Sequence, residues 1–216
     1  MIRLRDEDIE IVSYDDKVNP EDIVRLANNR KVSINLRDVF PFPYTDEDAK
    51  KWIEYASSQP KTTFRILVKN EFAGGIGLMR KTDIHSRTFE LGYWLGEPYW
   101  AKGIMSRCVK LILPYAFNVL DALRVEALPK TRNAGSRRVL EKNGFVLEGI
   151  LRSSAVKENV ICDMAMYSVI REQAVKRKFS SRKEMTIDIL IAATVLFVSI
   201  GISRWYINRN YSTRGR

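Results

Sequence analysis

Apolar side chains recur at every second position through the middle of the chain: Phe64, Ile66 and Val68, then Ile76 and Leu78, then Phe89, Leu91 and Tyr93. A period of two marks strands with one buried face, and Asn70-Glu71 and Asp83–Ser86 supply turns between them. The pattern predicts an antiparallel three-strand meander. Before it the period is helical. Asn19-Pro20-Glu21-Asp22 sets an Asn cap, a Pro at the first helical position and two acids in the first turn. Ile23, Leu26 and Ala27 then supply an apolar face. Thr45 caps a second helix with Asp48 three residues on, and Ala49, Trp52, Ile53 and Ala56 follow at helical spacing.

The flanking segments complete an α/β pattern. Ile2, Leu4, Ile9, Ile11 and Val12 predict an opening pair of short strands or one bulged strand, and Val39–Tyr44 reads as an aromatic, Pro-bearing loop. A helix after Gly103 carries Ile104, Cys108, Leu111, Ile112 and Tyr115 on one face, with Pro114 expected to kink it near its end. Val125–Leu128 reads as a buried strand, and Asn133 opens a helix that stops at Asn143-Gly144. Two strands, about Val146–Ser154 and Asn159–Ile170, predict a closing hairpin. Strands with helices between them predict helices flanking one sheet.

Charge divides the 216 residues unequally. Residues 1–173 hold 27 Lys/Arg against 24 Asp/Glu, a net +3, whereas residues 174–216 hold 9 against 2, a net +7. The excess surrounds an apolar segment and not a basic stripe in the main domain, which favours an anionic lipid surface and excludes a nucleic-acid partner. The organisation predicted is a domain over 1–173, a basic linker over 174–186, a transmembrane helix over 187–207 and a short basic tail over 208–216. The charge-free run Ile189–Ser203 covers about 22 Å, short of a bilayer interior of roughly 30 Å, and its flanks extend it if Arg204 snorkels and Trp205-Tyr206 sit at the interface. Cys108 and Cys162 show no metal or redox spacing and read as buried free thiols in a reducing compartment. His85 reads as a turn residue, no metal is expected, and the charged first ten residues predict no secretory leader.

Candidate chemistry begins at Tyr99–Ser106, where a turn opens onto a helix. Such a terminus offers unpaired N–H groups and the positive end of a macrodipole, but it carries neither a P-loop nor a dinucleotide fingerprint. Further on stands Asn133-x-x-Ser136-x-x-Val139-Leu140-Glu141-Lys142-x-Gly144-Phe145. With Glu90-Leu-Gly-Tyr-Trp-Leu95 and Tyr99-Trp-Ala-Lys-Gly-Ile104 upstream, this set resembles the GCN5-related N-acetyltransferase (GNAT) family, and within it the ribosomal-protein alanine N-acetyltransferase branch. The resemblance covers most of residues 1–172. It implies a GNAT-like mixed, mostly antiparallel sheet, acetyl-CoA as donor and an amine as acceptor, either a protein N-terminus or a small amine.

The resemblance also implies roles. The N–H groups of Lys102, Gly103, Ile104, Met105 and Ser106 would hold the pyrophosphate. Pantetheine would pair with the strand edge at Trp94 and Leu95, with the Leu95 N–H as oxyanion donor and the Asn133 amide on the pantetheine arm. Glu90 stands where relatives place the acid that draws a proton from the amine through water. Asp163 and Tyr167 are candidates for lining the acceptor pocket, which Phe40–Tyr44 and the hairpin near Lys157-Glu158 would shape. Four positions depart from the pattern. Ala101 replaces a Gly, at little cost if its φ is negative. Met105 replaces a small residue and either crowds the cofactor or points into the core. Arg107 replaces an acid and could neutralise a CoA phosphate, and Pro114 bends the same helix. The expected protein is a membrane-anchored acetyltransferase whose domain faces the cytosol, on the mitochondrial outer membrane or a peroxisome in a eukaryote, with the endoplasmic reticulum next, and a bacterial inner membrane equally suited on physical grounds. The alternative is a membrane-tethered acyl-CoA-binding scaffold without turnover.

Overall fold

The computed structural model describes residues 1–15 and 18–171. The predicted linker, transmembrane helix and basic tail lie outside the described residues. Among the described residues no helix is long and apolar enough to cross a membrane.

Eight strands form one sheet in the order β1-β2-β3-β4-β5-β6-β8-β7. They are β1 (Arg3–Asp6), β2 (Ile9–Ser13), β3 (Thr63–Val68), β4 (Glu71–Arg80), β5 (Thr88–Leu95), β6 (Arg124–Ala127), β7 (Val146–Lys157) and β8 (Val160–Ile170). Every neighbouring pair is antiparallel except β5 with β6. That parallel join extends only from Thr88–Arg124 to Glu90–Glu126, and β5 then runs on five residues without β6 beside it.

The predicted caps form as read. Asn19 accepts from the Glu21 N–H at the start of α1 (Pro20–Ala27). Asn29 caps the short α2 (Arg30–Ser33), which no periodic signal foretold. Thr45 and Asp48 form a reciprocal capping box on α3 (Asp46–Ser58). α4 (Ile104–Asn118) continues past Pro114 for another turn. The carbonyl that Pro114 leaves without a donor belongs to Lys110, and both residues are exposed, so water can satisfy it. α5 (Ala134–Lys142) starts on the Asn133 cap.

Alternation along the strands separates two cores. One face packs Phe64, Ile66, Leu78, Phe89, Leu91, Leu95 and Val125 against Cys108, Val109 and Ile112 of α4 and Leu140 of α5. On the other, Phe72 and Trp94 pack with Leu26 of α1, Ala49 and Trp52 of α3, and Tyr44 just before α3. Cys108 and Cys162 are both buried and unbridged, and burial pushes the Cys108 thiol up to about 12.

Candidate active site

Where β5 leaves β6, the sheet opens. The β4–β5 ladder is bracketed by Lys81 N–H to the Thr88 carbonyl (3.0 Å) and Gly96 N–H to the Ala73 carbonyl (2.9 Å). Antiparallel pairing alternates, so the even-numbered residues of β5 bond to β4 and the odd-numbered ones face away. The backbone groups of Trp94 therefore point at Gly75, while those of Tyr93 and Leu95 point into the opening. The Trp100 indole fills the Leu95 carbonyl (2.8 Å), which leaves the Leu95 N–H as the free group at that position. The Trp94 side chain lies on the opposite face, against Phe40 and Phe72.

Beyond Leu95 the chain makes a short 3₁₀ turn at Glu97–Tyr99 and enters α4 through Ala101 (φ +58°) and Gly103 (φ +74°). Gly103 is a helix cap without a side-chain bond. Among the described residues, the N–H groups of Ala101, Lys102, Gly103, Ile104, Met105 and Ser106 find no acceptor. Six consecutive donors at the positive end of a four-turn helix can hold an anion of two phosphates. Ala101 takes the left-handed conformation, so the condition for a cheap substitution is not met. Met105 is 7% exposed and belongs to the core, so its side chain leaves the turn open. The Ser106 hydroxyl accepts from the Asn143 amide (3.1 Å), tying the first turn of α4 to the end of α5.

Arg107 is bound elsewhere. It donates to Asp6 (2.7 Å), Asp8 (3.0 Å) and Glu7 (3.2 Å) in the β1–β2 turn, and to the Asp6 carbonyl. That residue pins α4 to the edge of the sheet and is not left for a CoA phosphate.

Across the opening stands the start of α5. Asn133 Oδ1 accepts from the Ser136 N–H (3.1 Å), and its NH2 group makes no hydrogen bond among the described residues. The Ser136 hydroxyl meets the Tyr93 hydroxyl at 2.8 Å. Burial pushes the Tyr93 phenol up to about 12, against the opposing pull of that hydrogen bond, so it stays protonated at neutral pH. Ser136 belongs to the Asn133 motif but had no role from sequence. Only the period of β5, which points Tyr93 toward the helices, could have suggested the pair.

Glu90 projects from the other face of β5, with 19% of its side chain exposed, and accepts from Arg37. Arg37 lies in the strap between α1 and α3, which is fastened repeatedly. Arg30 pairs with Glu158, Lys157 with Asp38 (2.8 Å), and Lys130 Nζ donates to the Ile34 carbonyl (2.5 Å). The strap and the β7–β8 hairpin thus meet, through residues that precede the Phe40–Tyr44 loop. Asp163 instead accepts from the Ser153 N–H in a bulge of β7 (2.7 Å). Tyr167 is buried on the α5 side, donating to Glu141 (2.6 Å) and accepting from Arg137 (3.1 Å), so it does not line the acceptor side.

Residues 16–146 match the acetyltransferase (GNAT) domain family. The chain belongs to this family. A curated relative, the Bacillus subtilis protein named "Probable N-acetyltransferase YjcK", is 40% identical over 84 residues, 39% of this chain and 46% of that one. The match thus spans about half the length of this relative. Among solved structures, a GNAT-family acetyltransferase from Bacillus anthracis superposes with a TM-score of 0.69 at 22% identity, covering 78% of this chain and 98% of that one. The ribosomal L7/L12 alpha-N-protein acetyltransferase RimL, in complex with coenzyme A, gives 0.69 at 20% identity with the same coverage. These two likenesses carry the fold.

Proposed function

We propose that the protein transfers acetyl from acetyl-CoA to an amine, by direct attack on the thioester. The observation that carries this reading is the separation of β5 from β6, which leaves the Tyr93 and Leu95 amides unpaired beside six free N–H groups. An extended, peptide-like pantetheine arm can complete the β5 edge, with the Asn133 NH2 as a further donor and the pyrophosphate on residues 101–106. Trp94 has its backbone turned to β4 and contributes packing.

The chemistry then follows from the residues around the opening. Glu90, reached when an ammonium takes the place of Arg37, draws a proton from the amine through water. The amine nitrogen attacks the thioester carbonyl, whose oxygen gathers charge that the Leu95 N–H stabilises. The C–S bond breaks as the attacking nitrogen sheds its remaining excess proton to water, and the departing thiolate takes a proton from the Ser136 hydroxyl, which Tyr93 holds in place and which regains its proton from solvent. The acceptor is a protein N-terminus, as for the L7/L12-modifying neighbour, or a small amine. The Arg37–Glu90 pair favours one other reading, a CoA-binding scaffold whose base is permanently occupied.

Thiol release from acetyl-CoA in the presence of an amine panel tests the reading. Turnover that Glu90→Gln lowers at least ~100-fold, with CoA affinity retained, is expected. CoA binding without turnover on any amine would leave the scaffold.

The anchor is proposed on the sequence alone: residues 187–207 enter a membrane with the domain on the cytosolic side, of the mitochondrial outer membrane or a peroxisome. Carbonate extraction of the full chain against a truncation before Met185 tests it. A full chain that extracts as freely as the truncation refutes the anchor.

A further inference from the structure

One of the residues that fasten the strap carries an unbalanced charge. The strap's acids and their neighbours are already engaged: Glu158 with Arg30, Asp38 with Lys157, Glu90 with Arg37. Lys130 is 5% exposed, and among the described residues its ammonium has a single acceptor, the Ile34 carbonyl, and no carboxylate at ion-pair distance. An ammonium has three donors, and one neutral carbonyl offsets little of the several kcal/mol that burying a charge costs. The neighbours pull in both directions. Burial pulls the Lys130 pKa below the ordinary lysine value; Cys162 and, more weakly, Asp38 raise it, while Arg132 and Lys157 lower it further.

Position gives the imbalance meaning. Lys130 lies just past the end of β6, and its carbonyl accepts the Asn133 N–H (2.9 Å), so it stands at the mouth of the opening. The strap residue it holds, Ile34, is three residues from Arg37, which holds Glu90. Lys130 and the candidate base Glu90 thus both hold one short stretch of the strap, at its residues 34 and 37.

Building on the acetyltransferase reading, we propose that Lys130 is the anion subsite of the acceptor pocket. The acceptor carries a carboxylate or phosphate besides its amine, and that anion takes the place beside Lys130 now held by the Ile34 carbonyl. Arg132, exposed and without an ion pair among the described residues, adds to the attraction at the entrance. Such an acceptor supplies the counter-charge that the fold leaves out, and neutral or purely cationic amines do not.

Matched pairs of amines test this on the full-length protein: O-phosphoethanolamine against ethanolamine, and Ala-Asp-amide against Ala-Asn-amide. Calorimetric binding in the presence of CoA is read together with kcat/KM. The expected result is at least a ~10-fold preference for the anionic member of one or both pairs, in line with a charge-assisted hydrogen bond. Which pair shows it separates a phosphorylated small amine from an acidic peptide. Lys130→Met should reduce the preference to within ~2-fold, Lys130→Arg should restore part of it, and Arg132→Ala should weaken it without abolishing it. No preference in the wild type, or one that survives Lys130→Met, overturns the proposal. If Lys130→Met does not fold, a preference that Arg132→Ala leaves unchanged overturns it equally. Anionic amines that bind preferentially without turnover would support the subsite and refute the enzyme. Neutral amines acetylated as well as anionic ones would do the reverse.

Discussion

Ala101 is the residue at which this protein works against itself. Its φ of +58° places an L side chain in the left-handed region, two residues before the left-handed Gly103 that caps α4. Contact between Cβ and the following carbonyl costs roughly 1–2 kcal/mol there, and glycine removes it. Glycine also enlarges the unfolded ensemble, which takes back ~0.4–1 kcal/mol. Ala101→Gly is therefore expected to stabilise by about 0.5–1 kcal/mol. For a domain of this size that is a rise of roughly 1–4 °C in melting temperature. Thermal and urea unfolding of both proteins measure it, with Ala101→Val as the opposite control, since a β-branched residue is strained further at positive φ. A lower melting temperature for Ala101→Gly would refute the reasoning, because it would mean that residue 101 has an ordinary negative φ in solution.

Three further substitutions probe other parts of the structure. A Cβ on Gly74 would lie 2.2 Å from the Trp94 carbonyl oxygen and 2.9 Å from Leu95 Cα, so Gly74→Ala should cost about 1–3 kcal/mol and lower kcat by displacing Leu95, whereas Gly92→Ala meets nothing and should be near neutral in denaturant titrations. Arg124, and then Ser168, holds the Glu148 carboxyl down to about 2. A depressed carboxylate stabilises the fold above its ordinary value and loses that contribution as pH falls, so wild type should lose its stability advantage over Glu148→Gln between about pH 4.5 and 2, followed by melting temperature. Tyr93→Phe and Ser136→Ala should each lower kcat ~10–100-fold with little change in CoA affinity, and the double variant should be no worse than the poorer single one. Additive losses would show that the two hydroxyls act separately.

Helix starts were legible because caps are local. Asn19, Thr45 and Asn133 each bond within three residues, so the sequence carries the whole interaction. Strand periods were legible for the same reason, and the motif around Asn133 brought the family with it. What escaped depends on partners far along the chain. Arg30 and Glu158 are 128 residues apart, Lys157 and Asp38 119, and Lys130 and Ile34 96, so the strap is invisible until the sheet exists. Arg107 was read toward a phosphate because its acids lie about 100 residues upstream. The direction of Met105 followed from which face of α4 is buried, and the sign of φ at Ala101 from the turn, and neither is a property of residue type.

The seam between β5 and β6 is three residue pairs long, yet it joins the five strands on one side to the three on the other. If the donor's pantetheine arm lies along the rest of β5, the substrate completes a sheet that the polypeptide leaves unfinished. Its occupancy then contributes to the endurance of the molecule as well as to its chemistry. A ligand present at a hundredfold its dissociation constant adds about 2.7 kcal/mol to the folded state. When acetyl-CoA and CoA run low together, more molecules would open at this seam and be degraded. The amount of protein in the cell would then follow the supply of its own donor, without a dedicated regulatory site.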